Sequence, residues 1–149
     1  MANFQQQLKK AKNLQQNKLK DDLFKFIRSI EVEILEKNKS QLKDDSKDIF
    51  GKPIGFYSQA TEVMTGGRKA KGQPFDAFET GDFLKGFFMQ EVSGVLRFGS
   101  KDEKTQTILK SDNWLSDQLF GLSDKNLKEV IEKRLLPFLI SNSRSKLGI

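Results

Sequence analysis

The chain contains no histidine and no cysteine among its 149 residues. Without imidazole it lacks the most common general base and the most common zinc ligand. Without thiols it can form neither a disulfide framework nor a thiolate metal site. Catalysis would have to rest on carboxylates, lysine, hydroxyl groups or an oxygen-bound metal. These absences predict that the protein is not an enzyme and that it binds no cofactor.

Long apolar runs are also missing. No stretch approaches the length of about 20 residues that spans a bilayer, so we expect no membrane partner. The 149 residues suffice for one ordinary domain, but only 36% are hydrophobic while 31% are charged. This polar composition predicts that part of the chain lies outside the core.

Positive charge is concentrated in three segments, and it sums to a formal net charge of +6 for the chain. Residues 1–20 contain five lysines and no acid, GGRKAKG (66–72) contributes +3, and residues 140–149 contribute +2. Such segments commonly contact a polyanion or an acidic protein surface, although they also keep a protein soluble. The candidate contacts with nucleic acid or with a protein partner are Lys9, Lys10, Lys12, Lys18, Lys20, Arg68, Lys69, Lys71, Arg144 and Lys146.

Two segments have the apolar period of an amphipathic helix. A stripe over residues 18–43 predicts one long helix. A second stripe after Ser123 predicts a closing helix that Pro137 kinks or ends. We expect a single domain over residues 18–140 with a long irregular loop at 44–77, a mobile basic N-terminal arm at 1–17 and a C-terminal tail at 141–149.

Between the helices, two apolar segments predict a β-hairpin. Phe83–Val92 and Val95–Gly99 are the expected strands, and Ser93-Gly94 is the expected turn. The fold class is therefore α+β, with a long N-terminal helix and a C-terminal helix packed on a small antiparallel sheet. Both faces of the hairpin are expected to be apolar, so one needs a cover from the preceding loop or from another molecule. The candidate subunit-interface residues are Phe4, Leu8, Phe83, Phe87, Met89 and Trp114.

Two motifs invite a chemical interpretation. Asp76, Glu79 and Asp82 place three carboxylates within seven residues, a composition that can bind Mg²⁺ or Ca²⁺. Their spacing fits no calcium loop and turn roles account for them, so no metal ligand is assigned. GGRKAKG lacks the spacing of a phosphate-binding loop. As a flexible basic loop it can contact nucleic-acid phosphates or remain solvated.

The step Thr80-Gly81-Asp82-Phe83 leads into TGDFLKGFFMQ and GVLRFGS, and LFGLSDKNLKEVIEKRLLPFL closes the pattern. In this order of elements, from about Leu19 to Leu139, the chain resembles the neck and tail-completion proteins of tailed bacteriophages and the virion-morphogenesis proteins of Mu-like phages. The resemblance implies a structural subunit of the virion, assembled in the cytoplasm of the bacterial host. It also implies a homo-oligomeric ring at the head–tail connector, which joins the portal and its adaptor to the tail proteins.

Contact with double-stranded DNA in such a ring is expected to be independent of base sequence. One alternative is a small basic DNA-binding accessory or virion cargo protein. Another, from a different class, is an enzyme with an oxygen-ligated metal at Asp76, Glu79 and Asp82.

Overall fold

The computed structural model describes residues 3–78, 80–103, 105 and 117–149. Its fold class is α+β, as predicted. The elements are α1 (Phe4–Lys12), α2 (Gln16–Ser29), α3 (Glu31–Lys43), α4 (Gln59–Met64), α5 (Asp82–Lys85), β1 (Phe87–Val92), β2 (Val95–Ser100), a 3-10 turn (Asp117–Leu119), α6 (Asp124–Val130), a π-helical stretch (Ile131–Leu135) and α7 (Leu136–Leu147).

The chain divides into two compact units. The helical unit comprises Met1–Val32 and Leu127–Ile149, and the hairpin unit comprises Glu33–Asn126. The two ends of the sequence therefore belong to the same unit.

The structure divides the helix predicted over residues 18–43 at Ile30. This residue has φ −109° and ψ 18° and ends α2. The hydroxyl of Ser29 donates to the carbonyl of Phe26 at 2.6 Å, a local bond that competes with regular helical bonding. The apolar period continues across the break, so periodicity alone predicts one helix where there are two.

In the helical unit, α2 packs against α7. The rings of Phe26 and Phe138 are stacked with their centroids 4.3 Å apart. Asp22 on α2 accepts a hydrogen bond from Asn142 at 3.1 Å and forms an ion pair with Lys146 at 3.2 Å. The hydrogen bonds from Asn142 and then Lys146 hold the pKa of Asp22 below its usual value. An aromatic stack and a polar cluster thus join the two helices.

Both segments predicted to lie outside the domain contain helix. The capping box of Asn3 and Gln6 begins α1 within the predicted arm. At the other end, α7 continues to Leu147. Pro137 does not end this helix, because it lies in the first turn of α7, directly after the π-helical stretch. A helix accommodates the missing proline N–H most easily where its hydrogen-bond pattern already changes.

The turn of the hairpin follows from a local signal. β1 and β2 pair antiparallel, with Val92 opposite Val95. The turn residues Ser93 and Gly94 have φ values of 52° and 77°. Positive φ at both central positions is the mark of a type I′ turn, which glycine adopts without strain. The predicted Ser93-Gly94 turn is confirmed.

The first strand is shorter than predicted. Phe83 and Leu84 lie in the helical turn α5, and β1 begins only at Phe87. Gly81 caps α5 with φ 86°, and a Cβ atom there would lie 2.9 Å from the ring of Phe78. This left-handed and crowded position requires glycine. The Thr80-Gly81-Asp82-Phe83 step is therefore a tight turn into a short helix, not the first residues of a strand.

An aromatic core holds the hairpin unit together. The rings of Phe83 and Phe87 meet edge to face at 5.2 Å, and both lie within 6 Å of the ring of Phe120. Aliphatic side chains from α3, the loop, α5 and the 3-10 turn complete the buried cluster, so within this unit the helices pack on the hairpin. These are Leu35, Leu42, Ile54, Ala77, Leu84 and Leu119.

Two buried amides of α3 anchor the segment that follows the 3-10 turn. Asn38 donates to the carbonyl of Leu119 and accepts from the N–H of Gly121, both at 3.0 Å. Gln41 accepts from the N–H of Ser123 at 2.8 Å and donates to the carbonyl of Gly121 at 3.3 Å. Both amides are almost fully buried, and these bonds satisfy the buried backbone groups they meet.

Candidate functional site

A cavity of about 230 Å³ lies in the hairpin unit. The apolar side chains of Phe75, Phe83 and Leu119 and the α4 residues Thr61 and Thr65 contribute to its lining. Pockets for drug-sized ligands begin at about 300 Å³, so this cavity has room for a small molecule or for one inserted side chain.

A hydrogen-bonded network of Tyr57, Lys69 and Asp76 lies beside the cavity. The hydroxyl of Tyr57 donates to Asp76 at 2.5 Å, and the ammonium of Lys69 lies 2.9 Å from both partners. Lys69 also donates to the carbonyl of Phe78, and the N–H of Phe78 donates to Asp76 at 2.9 Å. The network ties residue 57 to the basic loop and to the stretch before α5.

The pKa values of this network favour a structural role. Burial opposes ionisation of Asp76, but bonds from Tyr57 and Lys69 outweigh it and hold the pKa of Asp76 below its usual value. Burial also opposes the charge on Lys69, yet its bonds to Tyr57 and Asp76 raise its pKa. Burial and the bond to Asp76 raise the pKa of Tyr57. At neutral pH the lysine is therefore protonated and the aspartate ionised, so they provide neither an amine nucleophile nor a carboxylic acid.

Two of the three acids considered as metal ligands are described by the structure, and they lie in different environments. Asp76 belongs to the network above, and Asp82 accepts a hydrogen bond from the hydroxyl group of Thr80 at 2.5 Å. Glu79 lies outside the described residues. Within the described part of the chain, no group of three acidic side chains has the arrangement of a metal site.

The two faces of the hairpin differ. One face packs into the core through Phe87, with Met89 and Phe98 packed against the cluster. The expectation that the second face is also apolar is wrong, because an exposed Gln90–Arg97 pair lies at its centre. Once Phe83 and Leu84 are assigned to α5, too few apolar residues remain on the strands to cover both faces. The hairpin therefore leaves no continuous apolar face that needs a cover.

The candidate interface residues lie in contrasting places. Phe4 is 76% exposed and Leu8 is 44% exposed on α1. Phe83 and Phe87 are buried in the core of the hairpin unit, so contact with a second subunit through either would require that unit to open. Met89 is half-buried at the edge of the same core. Trp114 lies outside the described residues.

In the hairpin unit, three of the most exposed large apolar side chains lie on and near α4. Val63 is 74% exposed, Met64 is 86% exposed, and Phe56 in the preceding loop is 60% exposed. Thr61 and Thr65 of the same segment line the cavity, and Val63 lies about half a turn away from them on the helix. This segment thus turns its hydroxyl groups inward and its apolar side chains to solvent.

The predicted basic contacts divide between the units. Arg68 and Lys71 are exposed in the hairpin unit, whereas the side chain of Lys69 is only 12% exposed within its network. Contact of Lys69 with a phosphate would require it to leave that network. The other candidates lie in the helical unit, where Lys9, Lys10, Lys12, Lys18, Lys20, Arg144 and Lys146 are all exposed.

Three of these lysines line one groove. Lys10 on α1, Lys18 on α2 and Lys146 on α7 surround a space of about 210 Å³, together with the amides of Asn13 and Gln15. The N-terminal and C-terminal basic segments, predicted separately, thus converge at one place in the helical unit.

The sequence interpretation missed Tyr57, Asn38 and Gln41. The two amides lie three residues apart on α3, a spacing that places them on one helix face. Two amides within an otherwise apolar face are the signal that could have identified them. Tyr57, the only tyrosine of the chain, offered no comparable pattern.

Comparison of the chain with protein-family models, with curated proteins and with solved structures gives no match. Among the described helices, none combines the length and apolarity that crossing a bilayer requires.

Proposed function

We propose that the chain is a structural subunit of a tailed-bacteriophage head–tail connector, a neck or tail-completion ring that joins the portal and its adaptor to the tail. In this proposal the protein is located in the virion, assembles in the bacterial cytoplasm and catalyses no reaction.

The observation that carries the proposal is that each unit exposes, among other apolar side chains, two large ones close together on one helix. Phe4 and Leu8 lie one turn apart on α1, and Val63 and Met64 are adjacent on α4. A subunit that closes a ring through head-to-tail contacts needs two different surfaces, one for each neighbour. Exposed apolar side chains that cluster in this way commonly mark interaction sites.

The Thr80-Gly81-Asp82-Phe83 step leads into the short helix α5 and not directly into a strand. The turn at Gly81 directs Phe83 and Leu84 into the core immediately before the hairpin. The motif on which the resemblance rests is therefore a structural turn.

Two measurements test the proposal. A copy of the full chain with a small C-terminal tag should co-purify with virions, and a gold label on the tag should lie at the head–tail junction in electron micrographs. Light scattering of the purified protein over a range of concentrations should show self-association. A tagged chain that is absent from purified particles would refute the connector role.

The charge of the helical unit favours a second candidate function. This unit contains twelve Lys and Arg residues against five Asp and Glu, a formal net charge of +7. A small DNA-binding accessory or virion cargo protein would have such a surface. A protein that stays monomeric at every concentration and binds duplex DNA would support this candidate over the connector.

A further inference from the structure

We propose that the groove between Lys10, Lys18 and Lys146 binds the phosphate backbone of double-stranded DNA. The proposal names a partner for the connector subunit and in that respect rests on the proposed function. The three ammonium groups come from three different helices, so the groove exists only when the helical unit is folded.

The composition of the groove suits a phosphate. In addition to the three lysines, the lining contains the side-chain amides of Asn13 and Gln15, which can donate hydrogen bonds to phosphate oxygens. Asp22 is the acidic side chain placed beside this site, where it pairs with Lys146 at 3.2 Å. Lys10 and Lys18 form no ion pair with any residue that the structure describes. The groove therefore keeps a net positive charge.

The surroundings of the groove extend the same charge. The helical unit as a whole has a net charge of +7, and residues 1–20 contain no acid. Duplex DNA carries one negative charge for about every 1.7 Å of its axis. A surface with this excess of positive charge is attracted most strongly to a polyanion whose charge density is as high as that of duplex DNA.

The geometry of α1 disfavours a membrane as the partner. With about 100° of rotation per residue, Lys10 lies about 120° around the helix from Phe4 and about 160° from Leu8. A helix that lies in a bilayer surface needs its apolar side chains to face the acyl chains while its lysines flank them. On α1 the groove and the apolar pair face different directions, so one flat surface cannot engage both.

The test is binding of the full chain to fluorescent duplexes, measured by anisotropy over a series of salt concentrations. Two duplexes of unrelated sequence should bind alike. In the triple variant K10Q/K18Q/K146Q, the slope of log K against log salt should become shallower by about 3, roughly one unit for each phosphate that a lysine no longer neutralises. Its affinity at low salt should fall by at least roughly tenfold.

Two further variants control for charge and for folding. K47Q/K52Q/K125Q removes the same charge from exposed positions of the hairpin unit and should bind nearly as the wild type does. K10R/K18R/K146R keeps the charge and should also retain binding. Because thermal unfolding of each variant is measured in parallel, a folding defect in the triple Gln variant is recognised directly.

Equal loss of DNA binding in the two Gln variants would overturn the groove assignment. Stronger binding to polyglutamate, or to vesicles that contain phosphatidylglycerol, than to DNA would overturn the choice of partner. These outcomes leave the tag-labelling result unchanged, so failure of this inference is distinguishable from failure of the connector proposal.

Discussion

The two units differ in where they place charge and in what holds them together. The helical unit has a net charge of +7 and the hairpin unit, with fourteen basic and fifteen acidic residues, has −1. The hairpin unit is built around three interacting phenylalanine rings and two buried amides. In the helical unit, Ile27, Ile30 and Val130 are buried, and an aromatic stack and a polar cluster at Asp22 join α2 to α7.

This difference predicts that the stability of the protein and its binding to partners depend on different residues. Substitutions in the core of the hairpin unit should unfold it, whereas substitutions on the exposed face of α1 should change what the protein binds.

The largest effect is expected for Phe87→Asp. The side chain is 7% exposed and its ring contacts Phe83 and Phe120, so the variant places a carboxylate in an aromatic core. We expect the free energy of unfolding to fall by more than about 4 kcal/mol, which unfolds the hairpin unit.

Val95→Asp is the matched control, since Val95 lies on the same hairpin and is 57% exposed. This control substitution should lower the free energy of unfolding by about 1 kcal/mol or less. Near-ultraviolet circular dichroism and urea unfolding measure both, and similar stability of the two variants would contradict the assigned core.

The next effect concerns the buried amides. Asn38→Leu leaves the carbonyl of Leu119 and the N–H of Gly121 without their partner, at a cost of about 2–5 kcal/mol. In the helical unit, Asn142→Leu removes one half-buried bond to Asp22 and should cost about 1 kcal/mol. Urea unfolding of the two variants gives the comparison. An equal or larger loss for Asn142→Leu would show that the amides of α3 are not the stronger anchor.

Sequence reasoning succeeded where the determinant is local. The Ser93-Gly94 turn needs positive φ at two neighbouring residues, and β-prone residues flank it on both sides, so the hairpin is readable from a few positions. The prediction for Phe83 and Leu84 is wrong because their apolar run continues into β1. The start of the strand depends instead on the turn at Gly81, where the ring of Phe78 leaves no room for a Cβ atom.

Features that depend on tertiary contacts could not be predicted. Lys69 belongs to a solvated basic loop by composition, and only the fold shows that its ammonium meets Tyr57 and Asp76. The groove of Lys10 and Lys146 joins positions that are 136 residues apart in the sequence. Periodicity identifies helix faces but does not specify which two helices meet.

The Tyr57–Lys69–Asp76 network should make the stability of the hairpin unit depend on pH at both extremes. Because folding lowers the pKa of Asp76, its contribution is present above about pH 4 and is lost as the pH falls through the lowered value. Because folding raises the pKa values of Lys69 and Tyr57, their contributions are present below about pH 10 and are lost as the pH rises through the raised values.

Asp76→Asn tests this dependence. It should lower the free energy of unfolding at neutral pH by about 1–2 kcal/mol and remove that part of the acid-side loss which Asp76 causes. Asp82→Asn, at an exposed carboxylate in the same unit, should leave the neutral-pH value nearly unchanged. Urea unfolding at a series of pH values measures both variants. If the free energy of unfolding of Asp76→Asn falls at acid pH as steeply as that of the wild type, the network does not contribute to stability.

The smallest effect on stability, with a large effect on association, is expected for the double variant Phe4→Ser/Leu8→Ser. Both side chains are exposed, so the free energy of unfolding should change by less than about 0.5 kcal/mol, while light scattering should show no self-association. Val63→Ser/Met64→Ser, on the other exposed apolar pair, should behave in the same way. Ile149→Ser, at a 66% exposed position in the helical unit, is the control and should associate normally.

Mixing the two double variants tests whether the contact joins different surfaces. In a head-to-tail assembly, each variant keeps one of the two surfaces that a contact needs. An intact α4 surface of one variant can therefore still bind an intact α1 surface of the other, so mixed pairs should form without closing a ring. Full-size assembly of each variant by itself would show that neither apolar pair forms the contact. Dimers that form within each variant, without mixed pairs, would show that each contact joins like surfaces.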